Sequence, residues 1–170
     1  MFWNRFKFCS TIFLLRQLKG LCSIASLKMI YYGLIQTHLS YGVIFWGSCA
    51  GTKLKRAFIL QKPAIRVICN ILPRVSCKEQ FIRLRILTLP SIYIYETIVF
   101  CITKLNLLQG QDIHTYNTRS NTAFRQDTHR LQIHHRLRMQ AGVRFLNKLP
   151  NEVKNILPNQ ALFKNKLKEF

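Results

Sequence analysis

Lys55, Lys62 and Arg66 are the residues of this chain whose type and spacing most plainly suggest chemistry. Plotted at 100° per residue, they fall within about 40° of one another on a helix. Leu54, Phe58, Ile65 and Ile68 occupy a separate arc of about 80° on the same wheel. One face then suits a core, and the other presents a row of cations able to track phosphates without reading bases. An ordinary solvated face has the same pattern, so that reading stays open beside it. Arg83, Arg85, Arg119, Arg136 and Arg138 are lesser candidates for the same backbone contact.

Other chemistries are poorly supplied. Two-metal phosphoryl transfer needs paired carboxylates, yet the acids are Asp112, Asp127, Glu79, Glu96, Glu152 and Glu169, no two adjacent. A Gly-rich phosphate loop and a cluster of acids with histidines are both missing from the sequence. Six cysteines stand at 9, 22, 49, 69, 77 and 101 without a Cys-x-x-Cys pair. The histidines at 38, 114, 129, 134 and 135 give no zinc-finger spacing, although His129 and His134 can approach on a helix. The expectation is no metal, no cofactor, no disulfide framework, and free, mostly buried thiols.

Composition points to a binding protein. Lys and Arg number 26 against six acids, a net charge of +20, which is an electrostatic footprint for a polyanion. At 49% hydrophobic with twelve Phe, the chain is too apolar for a disordered basic tail. Its 170 residues suit one or two small domains.

The patterning predicts an all-α fold. Ile24, Leu27, Tyr31, Leu34, Ile35 and His38 repeat at helical spacing. Gly42 and Gly47 then punctuate the chain, with Phe45 and Trp46 as core anchors. A helix is expected over residues 52–70, and Pro63 should kink it or restart it. Ser76 and Glu79 form a capping-box pattern for a helix reaching about Leu87. Pro90-Ser91 restarts the chain. Ile92, Tyr95, Val99 and Ile102 stripe the next helix to Leu108, and Gln109-Gly110 close it. Tyr93 and Tyr95 read as packing residues ahead of base-stacking platforms. Residues 147–157 read as a short helix entered through Pro150, and Asn159 caps a last one carrying Phe163 and Leu167. The expected organisation is a helical bundle over 1–109, a polar connection over 110–125, and a basic helical extension over 126–170.

Four words occur in a fixed order: Tyr41-Gly-Val-Ile-Phe-Trp-Gly47, Leu60-Gln-Lys-Pro-Ala-Ile-Arg66, His114-Thr-Tyr-Asn-Thr-Arg119 and Phe145-Leu-Asn-Lys-Leu-Pro150. Lesser matches fill the gaps at residues 81–89, at Tyr93-Ile-Tyr-Glu96 and at Phe163-Lys-x-x-Leu167. Together they resemble the region that follows the polymerase core in jockey-like non-LTR retrotransposon reverse transcriptases. The resemblance runs from about Thr11 to Phe170. It implies a thumb-like bundle whose helices lie along a primer–template duplex, severed from the palm and fingers that carry the Asp-Asp catalytic pair. The partner so implied is RNA or an RNA–DNA duplex, bound without sequence preference, with no small-molecule substrate and no catalysis by this region alone. Pro63 departs from the family, which has a basic or helix-favouring residue there, and suggests a decaying copy. Tyr116 and Arg119 either stack on a nucleic-acid strand or hydrogen-bond a loop to itself.

Two rivals remain at this level: a domesticated nucleic-acid-binding protein, and a membrane-associated basic helical protein. The first eight residues are basic and Cys9 to Leu15 apolar, like a short signal peptide, but Arg16 and Lys19 follow without a small-residue cleavage site. The uncharged stretch from Met29 to Trp46 contains Gly33, Gln36, His38 and Gly42, which suits a core helix better than a membrane span. An intracellular location, nucleus or cytoplasm, is expected.

Overall fold

Helices carry the regular structure in the computed structural model, which describes residues 5–48, 51–104, 107–109, 112, 123–126, 130 and 137–169. Among the described residues the fold is all-α, with an isolated antiparallel bridge between Gln109 and Phe124 and no strand. The chain divides into two compact units. Unit 1 is Met1–Val43 with Ala50–Ile92, and unit 2 is Ile44–Cys49 with Tyr93–Phe170. The division falls ahead of the polar connection at 110–125, most of which lies outside the described residues.

Unit 1 opens with α1 (Arg5–Leu18), α2 (Ile24–Ile30), a π-helical segment (Tyr31–Gln36) and α3 (Thr37–Ser40). Ser23 caps α2, its Oγ accepting from Ser26 N at 3.2 Å. The buried side chains here are Leu27, Tyr31, Ile35 and Leu39, whereas Ile24, Leu34 and His38 of the expected stripe are exposed. Residues four apart drift by about 40° per step on an α-helix. The wider π winding over Tyr31–Gln36 absorbs that drift and keeps the series on one side.

Gly42 then takes φ 61°, a left-handed turn that glycine adopts without steric cost. It leads into the single turn α4 (Val43–Trp46), where Val43 is buried, Trp46 half-buried and Phe45 65% exposed. Phe45 is thus not the expected anchor: a one-turn helix offers the core one side chain, and Val43 takes that place.

Helix α5 (Gly51–Cys69) runs through Pro63 as one element and packs against α1, α2 and α6 (Lys78–Leu84). Asn70 closes α5 at φ 54°, with Asn70 N donating to Val67 O and Ile71 N to Arg66 O at 3.3 and 3.0 Å. Arg85 closes α6 the same way at φ 53°, with Arg85 N on Ile82 O and Ile86 N on Phe81 O, both at 3.0 Å. That helix therefore ends at Leu84, short of Leu87. The capping box does not form either. Ser76 Oγ accepts weakly from Lys78 N at 3.4 Å, and the helix starts after buried Cys77, whose carbonyl accepts from Phe81 N. Helix α7 (Leu89–Lys104) starts from Thr88, which accepts from Ile92 N through its carbonyl at 2.8 Å.

Unit 2 takes over α7 from Tyr93 and adds α8 (Arg138–Lys148), α9 (Asn151–Lys154) and α10 (Gln160–Glu169). Its core gathers Ile98, Cys101, Phe124, Val143, Leu146, Leu149, Val153, Phe163 and Leu167. The buried side of α7 here is Tyr93, Thr97, Ile98 and Cys101, rotated from the expected stripe, of which Tyr95, Val99 and Ile102 are half-buried. Tyr93 packs edge-on against Phe145 at 5.9 Å, as a packing residue should. The described helix runs to Lys104, Leu107 and Leu108 are not helical, and Gln109 pairs with Phe124 instead of closing it.

Helix α8 is absent from the sequence reading because its buried side includes Ala141 and Gly142. Asn147 belongs to it and grips Phe124 by both backbone groups, accepting from N and donating to O at 2.9 Å each. Pro150 leads into α9 as expected, but the expected helix over 147–157 is split: Asn147 and Lys148 end α8, and α9 covers only Asn151–Lys154. Asn159 caps α10 as expected, accepting from Leu162 N at 3.2 Å, and the helix buries Phe163 and Leu167. The thiols are less uniformly buried than expected: Cys77 and Cys101 are inside, Cys22 and Cys69 half-buried, and Cys9 exposed.

Candidate nucleic-acid interface

Helix α5 owes its orientation to a polar core. Gln61 is 0% exposed; its Nε2 donates to Tyr31 Oη at 2.7 Å and to Leu87 O at 2.9 Å, and its Oε1 accepts from Leu89 N at 2.9 Å. All of these groups lie in unit 1. Burial pushes the Tyr31 phenol well above its usual range, so it stays neutral. Ala57, Ala64, Ile65 and Ile68 complete the buried side of α5. That side is rotated by roughly 40° from the arc of Leu54, Phe58, Ile65 and Ile68. Alanine and glutamine carry little hydropathy signal, which is why the sequence misplaced the centre of the face.

Lys55, Lys62 and Arg66 lie roughly 135° around the helix from this buried side. Lys55 is exposed, and Lys62 and Arg66 are half-buried. Lys62 Nζ sits 4.7 Å from the centroid of Phe58, whose ring in turn lies 5.9 Å from that of Phe81. Arg66 is committed further. Its Nε and Nη2 donate to Val75 O at 3.3 and 3.1 Å, holding the loop over 70–77. A guanidinium has five N–H donors, so three are left for another acceptor. Along the axis the three cations span about 16 Å, at 1.5 Å per residue.

The other expected contacts are less well assembled. Arg83 is exposed on α6, and exposed Arg85 ends it in the left-handed region. Arg119 and Arg136 lie outside the described residues, as does the word His114-Thr-Tyr-Asn-Thr-Arg119, and of Arg138 only the backbone in α8 is described. His129 and His134 also fall outside. Among the described residues no group of three or more His, Cys, Asp or Glu is placed to hold a metal.

A plainer signal was present in the sequence. Every acid lies at Glu79 or beyond, so the first 78 residues carry cations without a single carboxylate. Unit 1 consequently holds fourteen Lys and Arg against Glu79, a net +13, and unit 2 holds twelve against five acids, a net +7. Exposed Arg74, next to the carbonyl that Arg66 holds, joins the basic surface. No helix among the described residues is by itself long and apolar enough to cross a membrane. No protein-family model, curated protein or solved structure matches the chain.

Proposed function

We propose that this chain binds the phosphate backbone of duplex nucleic acid, without sequence preference and without catalysis of its own. In this reading it is a thumb-like, post-polymerase region of a jockey-like reverse transcriptase, and its partner is RNA or an RNA–DNA duplex. The observation that carries the proposal is the row of Lys55, Lys62 and Arg66, set away from the buried side of α5 in a unit with one acid. Lys62 on Phe58 and Arg66 on Val75 O are held by their own contacts, so little side-chain freedom is lost on meeting phosphate.

The test is the salt dependence of binding. Each phosphate contact releases counterions and contributes about −0.9 to the log–log slope on B-form DNA. Lys55→Gln with Lys62→Gln should flatten that slope by roughly two units and weaken DNA, RNA and hybrid alike. Arg66 is left unchanged, because Gln there would also free the loop at Val75. An unchanged slope with normal circular dichroism would make the row a merely solvated surface.

A further inference from the structure

The corner between α1 and α2 leaves in the open apolar side chains that the core of unit 1 does not use. Leu15 of α1 and Leu27 of α2 are inside. Away from that side α1 carries Phe13, 60% exposed, with exposed Leu14 beside it. Both lie within about 8 Å of the end of the helix at 1.5 Å per residue. In the connection Leu21 is 84% exposed, and exposed Ile24 opens α2. Hydrogen bonds fix this connection. Leu21 N and Cys22 N both donate to Leu18 O, at 3.0 and 2.9 Å, and Ser23 caps α2. Lys19 Nζ donates to Asn70 Oδ1 just beyond the end of α5. Leu21 is therefore held in the open, with exposed Arg16 and Lys19 on the same corner.

Leu14, Leu21 and Ile24 offer nothing to a phosphate backbone, and they gain free energy by leaving water. The cations beside them are drawn to negative charge. Both needs are met at the boundary between headgroups and acyl chains of an anionic bilayer, where apolar side chains sink in and Lys and Arg stay among the headgroups. We propose that the α1–α2 corner, led by Leu21, docks peripherally on an anionic lipid surface, independently of the α5 row. Charge complementarity supports this occupant: no carboxylate occurs before Glu79, so the corner repels a second copy of this chain. The arrangement of the apolar side chains decides for lipid over an acidic protein. They come from the end of one helix, a turn and the start of the next, so they form no single i, i+3, i+4, i+7 row for a groove to read. A fluid interface requires only that they protrude together. Peripheral docking also needs no spanning helix, and no single helix among the described residues could span.

The test is cosedimentation of the full chain, freed of nucleic acid by nuclease, with vesicles of phosphatidylcholine alone or with about 30% phosphatidylserine. The wild-type chain should bind the anionic vesicles and not the neutral ones, and more weakly as salt rises. Leu21→Ser with Ile24→Ser should weaken that binding about tenfold while leaving binding to an RNA–DNA duplex unchanged. Arg16→Gln should cost about fivefold on anionic vesicles. Leu21→Trp should tighten binding, because Trp favours the membrane–water interface. All three positions are exposed, and circular dichroism verifies that the fold is retained. A wild-type chain that ignores anionic vesicles overturns the proposal and leaves the nucleic-acid reading standing. A Leu21/Ile24 variant that binds vesicles like wild type also overturns it, since charge alone would then carry the adsorption. Equal losses on vesicles and duplex would overturn it in favour of a nucleic-acid contact at this corner.

Discussion

The two units solve the problem of a helical core in opposite ways. Unit 1 places Gln61, a polar residue, at 0% exposure and surrounds it with Tyr31, Leu87 and Leu89 as hydrogen-bond partners. Unit 2 gathers a largely apolar cluster around Phe163 and Leu146 and lets helices approach closely at Gly142. Charge divides them too, at +13 with one acid against +7 with five. A hydrogen-bonded core is directional and fixes which side of α5 faces out; an apolar core is set by volume. The unit that presents the cationic row is the one whose helix orientation is fixed by direction.

The largest effect should come from breaking that polar centre. Gln61→Leu removes the partner of Tyr31 Oη and Leu89 N in the core and of half-buried Leu87 O, at a cost of about 4 kcal/mol. Denaturant unfolding measures it. Tyr31→Phe removes one partner and should cost about 1 kcal/mol. A loss near zero for Gln61→Leu, which conserves volume, would mean that Gln61 acts by volume alone, and the contrast between the units would disappear.

Next comes the close approach in unit 2. A Cβ at Gly142 would run into Cys101 Sγ and stand 3.1 Å from Thr97 O. Gly142→Ala should therefore destabilise by about 2 kcal/mol, despite the better helix propensity of alanine. Cys101→Ala in the same chain should recover much of the loss, as a double-mutant cycle would reveal. Additive losses would place the strain elsewhere.

Titration of Cys101 should have a smaller effect. Burial pushes its thiol from 9 up to about 11. A folded value above the unfolded one means that stability is intact below pH 9 and falls as pH rises from 9 through 11. The expected loss by pH 10 is about 1 kcal/mol, read as an alkaline decline in melting temperature between pH 9 and 10 that Cys101→Ala reduces. At pH 8, exposed Cys9 should react rapidly with a thiol reagent while Cys101 reacts only on opening.

The smallest effect should be a gain. Arg85 holds φ 53°, a conformation that costs a residue with a Cβ about 1 kcal/mol and glycine almost nothing. Arg85→Gly should stabilise unit 1 by about that amount, and its effect on duplex binding separates the residue's capping role from any phosphate contact.

Legibility followed the strength of local signals. Asn159 before Phe163 and Leu167 was readable because cap, spacing and apolar side agree within one helix. The capping box at Ser76 and Glu79 was equally regular in sequence and failed. The Leu72–Val75 turn held by Arg66 leaves Ser76 outside the helix, and buried Cys77 fixes where it begins. Helix α8 was hidden because its contact side uses alanine and glycine, residues that pack by being small rather than by being apolar.

The sequence by itself determined the all-α class, the extent of α5, the helix cap at Asn159, and the face on which Lys55, Lys62 and Arg66 lie. Those properties depend on periodicity and on hydrogen bonds within a few residues, which local order encodes directly. Only the tertiary structure decided that Gln61 is core, that Val43 rather than Phe45 fills the turn after Gly42, and that Arg66 braces a loop as well as facing outward. Each of those outcomes turns on which partners are brought within about 3 Å by residues far away in the chain, and no local pattern of residue types carries that information.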